Sequence, residues 1–190
     1  MPNAGYEYLL CYKLTVPIYD YTVEFCRRWI DPRSRTTDQM IQAARSGMQN
    51  ILEGNKQQGL KGYIKLTGVA RGSLTELLED YQAFARQNEL PIWGKEKAIR
   101  KIGEIGELWE MIKKIPALPD SPNFPDFPKS SVVAVNLMIT LVHQANYLID
   151  KLIVSLKERH RTHGGLTEEL YQARIRYRGN MGDWGNRGEK

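Results

Sequence analysis

The sequence contains few of the residues that build disulfide and metal sites. It has two cysteines, Cys11 and Cys26, and three histidines among 190 residues. If both cysteines lie on one helix, they are ~22 Å apart at about 1.5 Å per residue, whereas a disulfide needs Cα atoms within roughly 7 Å. Their spacing also fits no zinc motif, so the sequence predicts two buried thiols in a reducing compartment and no metal.

Recognisable catalytic patterns are also missing. No glycine-rich phosphate loop follows a strand, and no Ser/His/Asp set is marked by its local sequence. Glu79 and Asp80 are adjacent on a predicted helix, where their side chains point about 100° apart and do not share a proton. His160 and His163 stand beside arginines, a setting that disfavours a cationic metal. We therefore expect neither an enzyme nor a bound cofactor.

The amino-acid sequence also contains no pattern typical of a targeting or membrane-spanning segment. The first residues lack the basic and then apolar layout of a signal peptide. The most apolar run, Val132 to Ile139, is followed by the polar Thr140 and His143, so it is too short and interrupted to span a bilayer. The sequence predicts a cytoplasmic protein with no membrane partner, and it predicts that His143 is a hydrogen-bonded histidine in the interior or at an interface.

The composition that is present suits one helical domain. Hydrophobic residues make up 42% of the chain, enough for a real core. The 27 lysines and arginines exceed the 22 acids, for a formal charge of +5. This moderate basicity permits a polyanion partner without requiring one. No segment has the period of a strand, and no internal repeat is visible.

Apolar residues recur at helical spacing in five segments. The first contains Pro17, which should kink or interrupt it, and the last is capped by Ser130 or Ser131. The predicted helices are Tyr6–Ile30, Arg35–Gln58, Tyr63–Asn88, Lys95–Lys114 and Val132–His160. Between the last two, residues 116–128 hold five prolines and should form a rigid crossover without regular structure.

The predicted fold class is all-α. We expect an antiparallel up-down four-helix bundle over residues 1–163, with the extra short helix 95–114 inserted before the last long helix. Residues 164–190 form a basic C-terminal extension, with a short helix from about Thr167 to Gly179 and a glycine-rich, disordered end. The last long helix has an apolar band broader than one core needs, which favours contacts with a second subunit.

Small residues line one face of the second helix. Met40, Ala44, Gly47, Ile51 and Gly54 share a stripe at helical spacing, and the small side chains let another helix approach closely. The sequence therefore predicts that this helix is a packing element with a polar outer face.

Basic residues cluster in two regions. From Arg27 to Lys65 there are eight cations and three acids, and from Lys157 to Lys190 there are eight cations and five acids. The second region interleaves Tyr171, Tyr177 and Trp184, which suits phosphate contact and base stacking, although a solvated surface with a loose tail fits equally well. The candidate nucleic-acid contacts are Arg27, Arg28, Arg33, Arg35, Arg45, Arg174, Arg176 and Arg178.

The second and third helices resemble a known family in Arg35-Thr-Thr-Asp-Gln-Met40, Asn50-Ile-Leu-Glu-Gly54 and Ser73-Leu-Thr-Glu-Leu-Leu-Glu-Asp-Tyr81. This is the bacterial four-helix-bundle family of proteins encoded in intervening sequences of 23S ribosomal RNA genes and of the accessory variability protein of diversity-generating retroelements. The extra helix, crossover and extension are more similar to its longer suffix-domain subfamily. The resemblance implies an antiparallel protomer in a five-fold ring, whose basic surface in the accessory protein binds nucleic acid and a reverse transcriptase.

Two functions from different classes follow. The first is a non-enzymatic homo-oligomer, expected to be a pentamer, that binds RNA or DNA through phosphate contacts as an accessory factor. The alternative is a protein-interaction scaffold that presents apolar and proline-rich surface to another protein, such as a reverse transcriptase. The scaffold alternative is favoured if the arginines are scattered over the surface or lie against Glu79, Asp80 and their neighbours.

Overall fold

A computed structural model describes residues 9–114 and 122–182 of the chain. All regular structure within these residues is helical, which confirms the all-α class. The helices are α1 (Leu10–Trp29), α2 (Arg35–Asn55), α3 (Leu60–Gln87), α4 (Lys95–Lys101), α5 (Gly103–Lys114), α6 (Ser131–His163) and α7 (Leu166–Gly182).

Helices α1, α2, α3 and α6 share one hydrophobic core. Helix α2 packs on α1 and α3, and α6 packs on the same two helices from the other side. At the centre, the Phe25 ring lies 4.9 Å from the rings of both Tyr81 and Phe84. The hydroxyls of Thr22 and Tyr81 are 2.9 Å apart in the same region and satisfy each other away from water.

Helix α6 is covered on more than two sides. The apolar residues from Ala134 to Ala145 are buried, and the helix contacts α4 as well as α1 and α3. The broad apolar band that suggested a second subunit is therefore covered in part by the same chain. An apolar window in the stretch Ser131–Arg178 could cross a membrane by length and composition alone, against the sequence expectation, yet 67% of it is buried inside the protein.

The corner between α3 and α4 is held on α6 by one buried amide. The Asn136 side chain accepts a hydrogen bond from the Trp93 backbone at 2.6 Å and donates to the Pro91 carbonyl at 2.9 Å. It also donates to the Val132 carbonyl one turn earlier in α6 at 2.7 Å. Three hydrogen bonds to one 1% exposed side chain fix where the inserted helices begin.

The described part of the proline-rich crossover, residues 122–128, has no regular structure and lies against α1. The Tyr21 hydroxyl donates to the Pro125 carbonyl at 2.6 Å, and its ring stacks on Phe127 with centroids 5.0 Å apart. The prediction of an irregular crossover is confirmed for these residues, and the rest of it, 116–121, lies outside the described ranges.

Several predicted boundaries were wrong. Helix α1 continues through Pro17, so of the two predicted effects of this proline the interruption is excluded and the kink stays a prediction. The segment 95–114 forms two helices, because Ile102 adopts an extended conformation with φ −111° and ψ 90° that buries its side chain in the core. Gly179 does not end α7, which continues to Gly182; residues 183–190 lie outside the described part of the chain.

Gly47 on α2 marks the closest approach of α2 and α3. A Cβ placed there would lie 2.7 Å from Cδ2 and 2.8 Å from Cγ of the fully buried Leu74. Real carbon contacts are not that short, so any larger residue must push Leu74 into a full core. The small-residue stripe predicted from the sequence is confirmed as a packing feature.

We predict that Gly47→Ala lowers the free energy of unfolding by about 1 kcal/mol, because overpacking outweighs the gain in helix propensity. Gly106→Ala on α5 is the matched control, since nothing lies within 4 Å of its added Cβ. The control should gain up to about 1 kcal/mol. Urea unfolding of both variants measures the difference, and equal stabilisation of the two would contradict the tight contact.

Candidate nucleic-acid interface

Arg27 and Arg28, at the end of α1, are both bound by Glu24. Arg27 makes a two-pronged contact with the carboxylate at 2.6 and 2.8 Å, and Arg28 Nε donates to the same group at 2.6 Å. The hydrogen bond from Arg27 is the largest cause that lowers the Glu24 pKa to about 2. A phosphate at this site has to compete with a carboxylate that is already in place.

Arg28 also has a structural task. Its guanidinium donates to the carbonyls of Phe127 and Pro128 at 3.3 and 3.0 Å and lies 5.5 Å from the centre of the Phe127 ring. These contacts join α1 to the end of the crossover. Arg28 is thus the candidate whose side chain is most engaged within the protein.

We predict that Glu24→Gln makes the stability of the fold depend less on pH between about 2 and 4.5. The folded pKa of about 2 lies below the ordinary 4.5, so Glu24 stabilises the fold above about pH 4.5, and this contribution is lost as the pH falls toward 2. Thermal unfolding between pH 2 and 6 checks the slope, with the exposed Glu53→Gln as control. A wild-type slope in Glu24→Gln would refute the role of this carboxylate.

Arg33, Arg35 and Arg45 are exposed along the start and middle of α2. The turn before α2 is built by Asp31, which accepts the Arg33 backbone N–H at 2.9 Å, and by Ser34, whose hydroxyl caps the helix through the Thr36 N–H at 3.2 Å. Arg33 therefore lies in this turn and Arg35 begins the helix, whereas Arg45 is near its middle.

Arg35 lies in a cleft of about 660 Å³ between α2 and α3 whose other charged groups are acids. These acids are Asp38, Glu76, Glu79 and Asp80. Burial, followed by the charges of Glu76 and Glu79, raises the pKa of Asp80. A cleft with four carboxylates and one arginine repels a polyanion and favours a cationic partner.

Arg174, Arg176 and Arg178 lie on α7, whose side chains from Leu166 to Arg178 are all exposed. Tyr171 and Tyr177 on the same helix are 62% and 67% exposed. Helix α7 begins beside the α2–α3 turn, where a Cβ at Gly59 would meet Leu166 at 3.8 Å. Since Arg35 is at the other end of α2, about 30 Å away at 1.5 Å per residue, the structure does not bring Arg35 close to the base of the α7 set.

Among the described residues, no three His, Cys, Asp or Glu side chains group to hold a metal. Burial raises the pKa of Cys11 to about 11 and that of Cys26 to about 12. Both thiols are thus protonated and shielded near neutral pH, which suits their predicted structural role.

A second surface was missed by the sequence reasoning. A groove of about 640 Å³ runs between the inserted helices and α6, and we call it the aromatic groove. Its lining includes Ile92, Trp93, Lys95, Trp109, Ile139, His143, Gln144, Tyr147 and Leu148. His143 is exposed there, which excludes an interior position, while the interface alternative stays a prediction.

The aromatic groove has a sequence signal that could have been read. Trp93, Trp109 and Tyr147 are each followed four residues later by a lysine, and this spacing places both side chains on one face where the chain is helical. What the sequence does not give is the docking of α5 on the core, which brings three separate segments to one groove.

Comparison of the chain with protein-family models, with curated proteins and with solved structures gives no match. The resemblance to the ribosomal intervening-sequence and retroelement accessory proteins therefore stays an expectation based on the motifs in α2 and α3.

Proposed function

We propose that the protein is a non-enzymatic homo-oligomer that binds RNA or DNA, with α7 supplying phosphate contacts as an accessory element. This proposal rests on the exposure of α7 from Leu166 to Arg178 together with the composition of the helix. From Leu170 to Gly182 the helix has three arginines and no acid. A helix with no core contact gains little stability within one chain, and a polyanion would neutralise its cations.

The arrangement of side chains on α7 supports phosphate contact. Tyr171, Arg174 and Arg178 follow one another at i, i+3 and i+7, so they share a face of the helix. A strand laid along that face would meet two guanidinium groups and one exposed ring. Guanidinium groups match phosphate oxygens with two parallel hydrogen bonds, which favours arginine over lysine here.

For the protomer we propose an antiparallel up-down four-helix bundle of α1, α2, α3 and α6. The short connections 30–34 and 56–59 favour antiparallel neighbours. Pairs along α2 and α3 support it as well: the Ser46 and Ser73 hydroxyls are 2.8 Å apart, and Asn55 donates to the Tyr63 hydroxyl at 3.1 Å. The residue numbers rise on one helix as they fall on the other.

For the oligomer we propose a ring of five copies that uses exposed surface on α3 and α6. Gly68 and Gly72 face open space, with nothing within 4 Å of an added Cβ, and Val69 is 45% exposed between them. Val154 on α6 is 65% exposed. Glycines lower the stability of an exposed helix. They are explained if a helix of a second copy approaches closely at Gly68 and Gly72.

We predict that Val154→Lys dissociates the oligomer, because a charge replaces an apolar contact. Multi-angle light scattering at micromolar concentration measures the mass. Val23→Lys is the control, since Val23 is an exposed valine of α1. A monomeric wild type would refute the oligomer, and an intact Val154→Lys oligomer would refute this face.

We predict that replacing Arg174, Arg176 and Arg178 together by glutamine weakens nucleic-acid binding at every sequence. For single strands the slope of log K against log salt should flatten by roughly 0.7 per lost contact, about 2 in all. Fluorescence anisotropy over a salt series gives the slope. The control removes three exposed lysines elsewhere, Lys61, Lys65 and Lys129, and absence of binding by the wild type at low salt would end the proposal.

The alternative, a protein-interaction scaffold, is favoured by the acidic cleft around Arg35 and by the pairing of Arg27 and Arg28 with Glu24. Because these arginines already lie against carboxylates, part of the predicted basic surface is not available to a polyanion. A nuclease-treated pull-down that retains a basic protein partner, and loses it in a Glu76→Gln and Glu79→Gln double variant, would support the scaffold.

A further inference from the structure

Each of the three aromatic rings that line the aromatic groove has a lysine over its face, and these lysines lie outside the groove lining, Lys113 in the adjoining hollow. The Lys97 ammonium lies 5.6 Å from the centre of the Trp93 ring, Lys113 lies 5.7 Å from Trp109, and Lys151 lies 5.4 Å from Tyr147. The three rings come from the corner before α4, from α5 and from α6. When such an exposed lysine turns from its ring toward an anionic group, the ring can stack on a planar group of the same ligand.

The rings are held in place and open to solvent. The Trp109 indole N–H donates to the Gln144 Oε1 at 2.7 Å, which fixes the ring. Because that N–H is already used, a ligand meets Trp109 through the ring surface. Tyr147 is 61% exposed, and Trp93 and Trp109 are half-buried along the same groove. Between them, Ile139 and Leu148 supply an apolar floor.

Charge in the groove selects an anion. Lys95 is the charged residue of its lining, and no carboxylate is among the described residues that line it. Glu110 lies with Trp109 in an adjoining hollow, where it pairs with Lys114 at 3.5 Å. An acidic peptide would satisfy the lysines, but it offers no planar groups for three rings. Nucleotides in a strand offer a base and a phosphate at every step.

We propose that the aromatic groove binds a short run of unpaired nucleotides. Bases stack on Trp93, Trp109 and Tyr147, and the neighbouring Lys97, Lys113 and Lys151 contact the phosphates. The Gln144 NH2 and the exposed His143 imidazole face the base edges. Paired bases are stacked on each other and cannot lie on these rings, so the groove prefers single strands to duplex. This inference rests on the proposed nucleic-acid binding and places it on a different surface from α7.

The test uses the full chain and an unlabelled eight-nucleotide single strand; the probe of the groove is the part of the tryptophan quenching that Trp109→Phe removes, because Trp184, which follows α7 in the sequence, can be quenched as well. Stacking on Trp93 and Trp109 should quench the emission, and Trp109→Phe should remove part of that quenching. In a parallel anisotropy titration with a labelled strand, Tyr147→Ala should weaken binding about tenfold and Tyr147→Phe hardly at all. Since Tyr147 is largely exposed, these variants should fold normally.

Lys151→Gln should weaken binding and flatten the salt dependence, whereas Lys65→Gln on α3 serves as the matched charge control. Binding by anisotropy with unchanged tryptophan emission and a wild-type affinity in Tyr147→Ala would overturn the groove and leave the α7 proposal standing. Equal affinity for duplex, or quenching by an acidic peptide but not by the strand, would also overturn it. No binding of any nucleic acid at low salt would overturn both proposals.

Discussion

Burial of α6 is the constraint on which the rest of this structure depends. Its band of Val135, Met138, Ile139, Val142 and Ala145 is buried, and the part that α1 and α3 leave open is covered by other segments of the chain. At ~25 cal/mol per Å² of apolar surface, leaving the remainder in water would cost several kcal/mol. The corner at Trp93 and the inserted helices cover it from the same chain. The groove exists because this cover is incomplete and stops at Tyr147.

Much of the architecture could be predicted from periodicity alone. The stripe through Met40, Gly47 and Ile51 gave α2 and its contact face, since a 3.6-residue period is a property of the sequence. The break at Ile102 could not be seen, because Ile102 fits the helical pattern and leaves the helix to reach the core. Gly179 failed as a stop signal because glycine lowers helix propensity by only about 1 kcal/mol, which its neighbours can outweigh.

The candidate site was harder to predict than the fold. Charge counted along the chain placed Arg27, Arg28 and Arg35 in one basic region. In the folded chain, Glu24 is hydrogen-bonded to both Arg27 and Arg28, and acids of α3 lie around Arg35. Local sequence cannot show that Glu76, Glu79 and Asp80 face Arg35, because they come from another helix. The α7 arginines escape this problem, since no other element with acids packs on them in the described part of the chain.

Asn136 has a consequence for the order in which parts of the molecule open. Its side chain joins Pro91 and Trp93 to α6 at the start of the inserted helices, which are also held by buried side chains such as Ile102 and Leu108. Opening of this unit removes these core contacts and exposes one face of α6, while the contacts of α2 with α1 and α3 remain in place. Amide hydrogens of α4 and α5 would then exchange faster than those of α6. Each opening would also take Trp93 and Trp109 out of the groove, so that opening of the inserted helices and ligand binding would exclude each other.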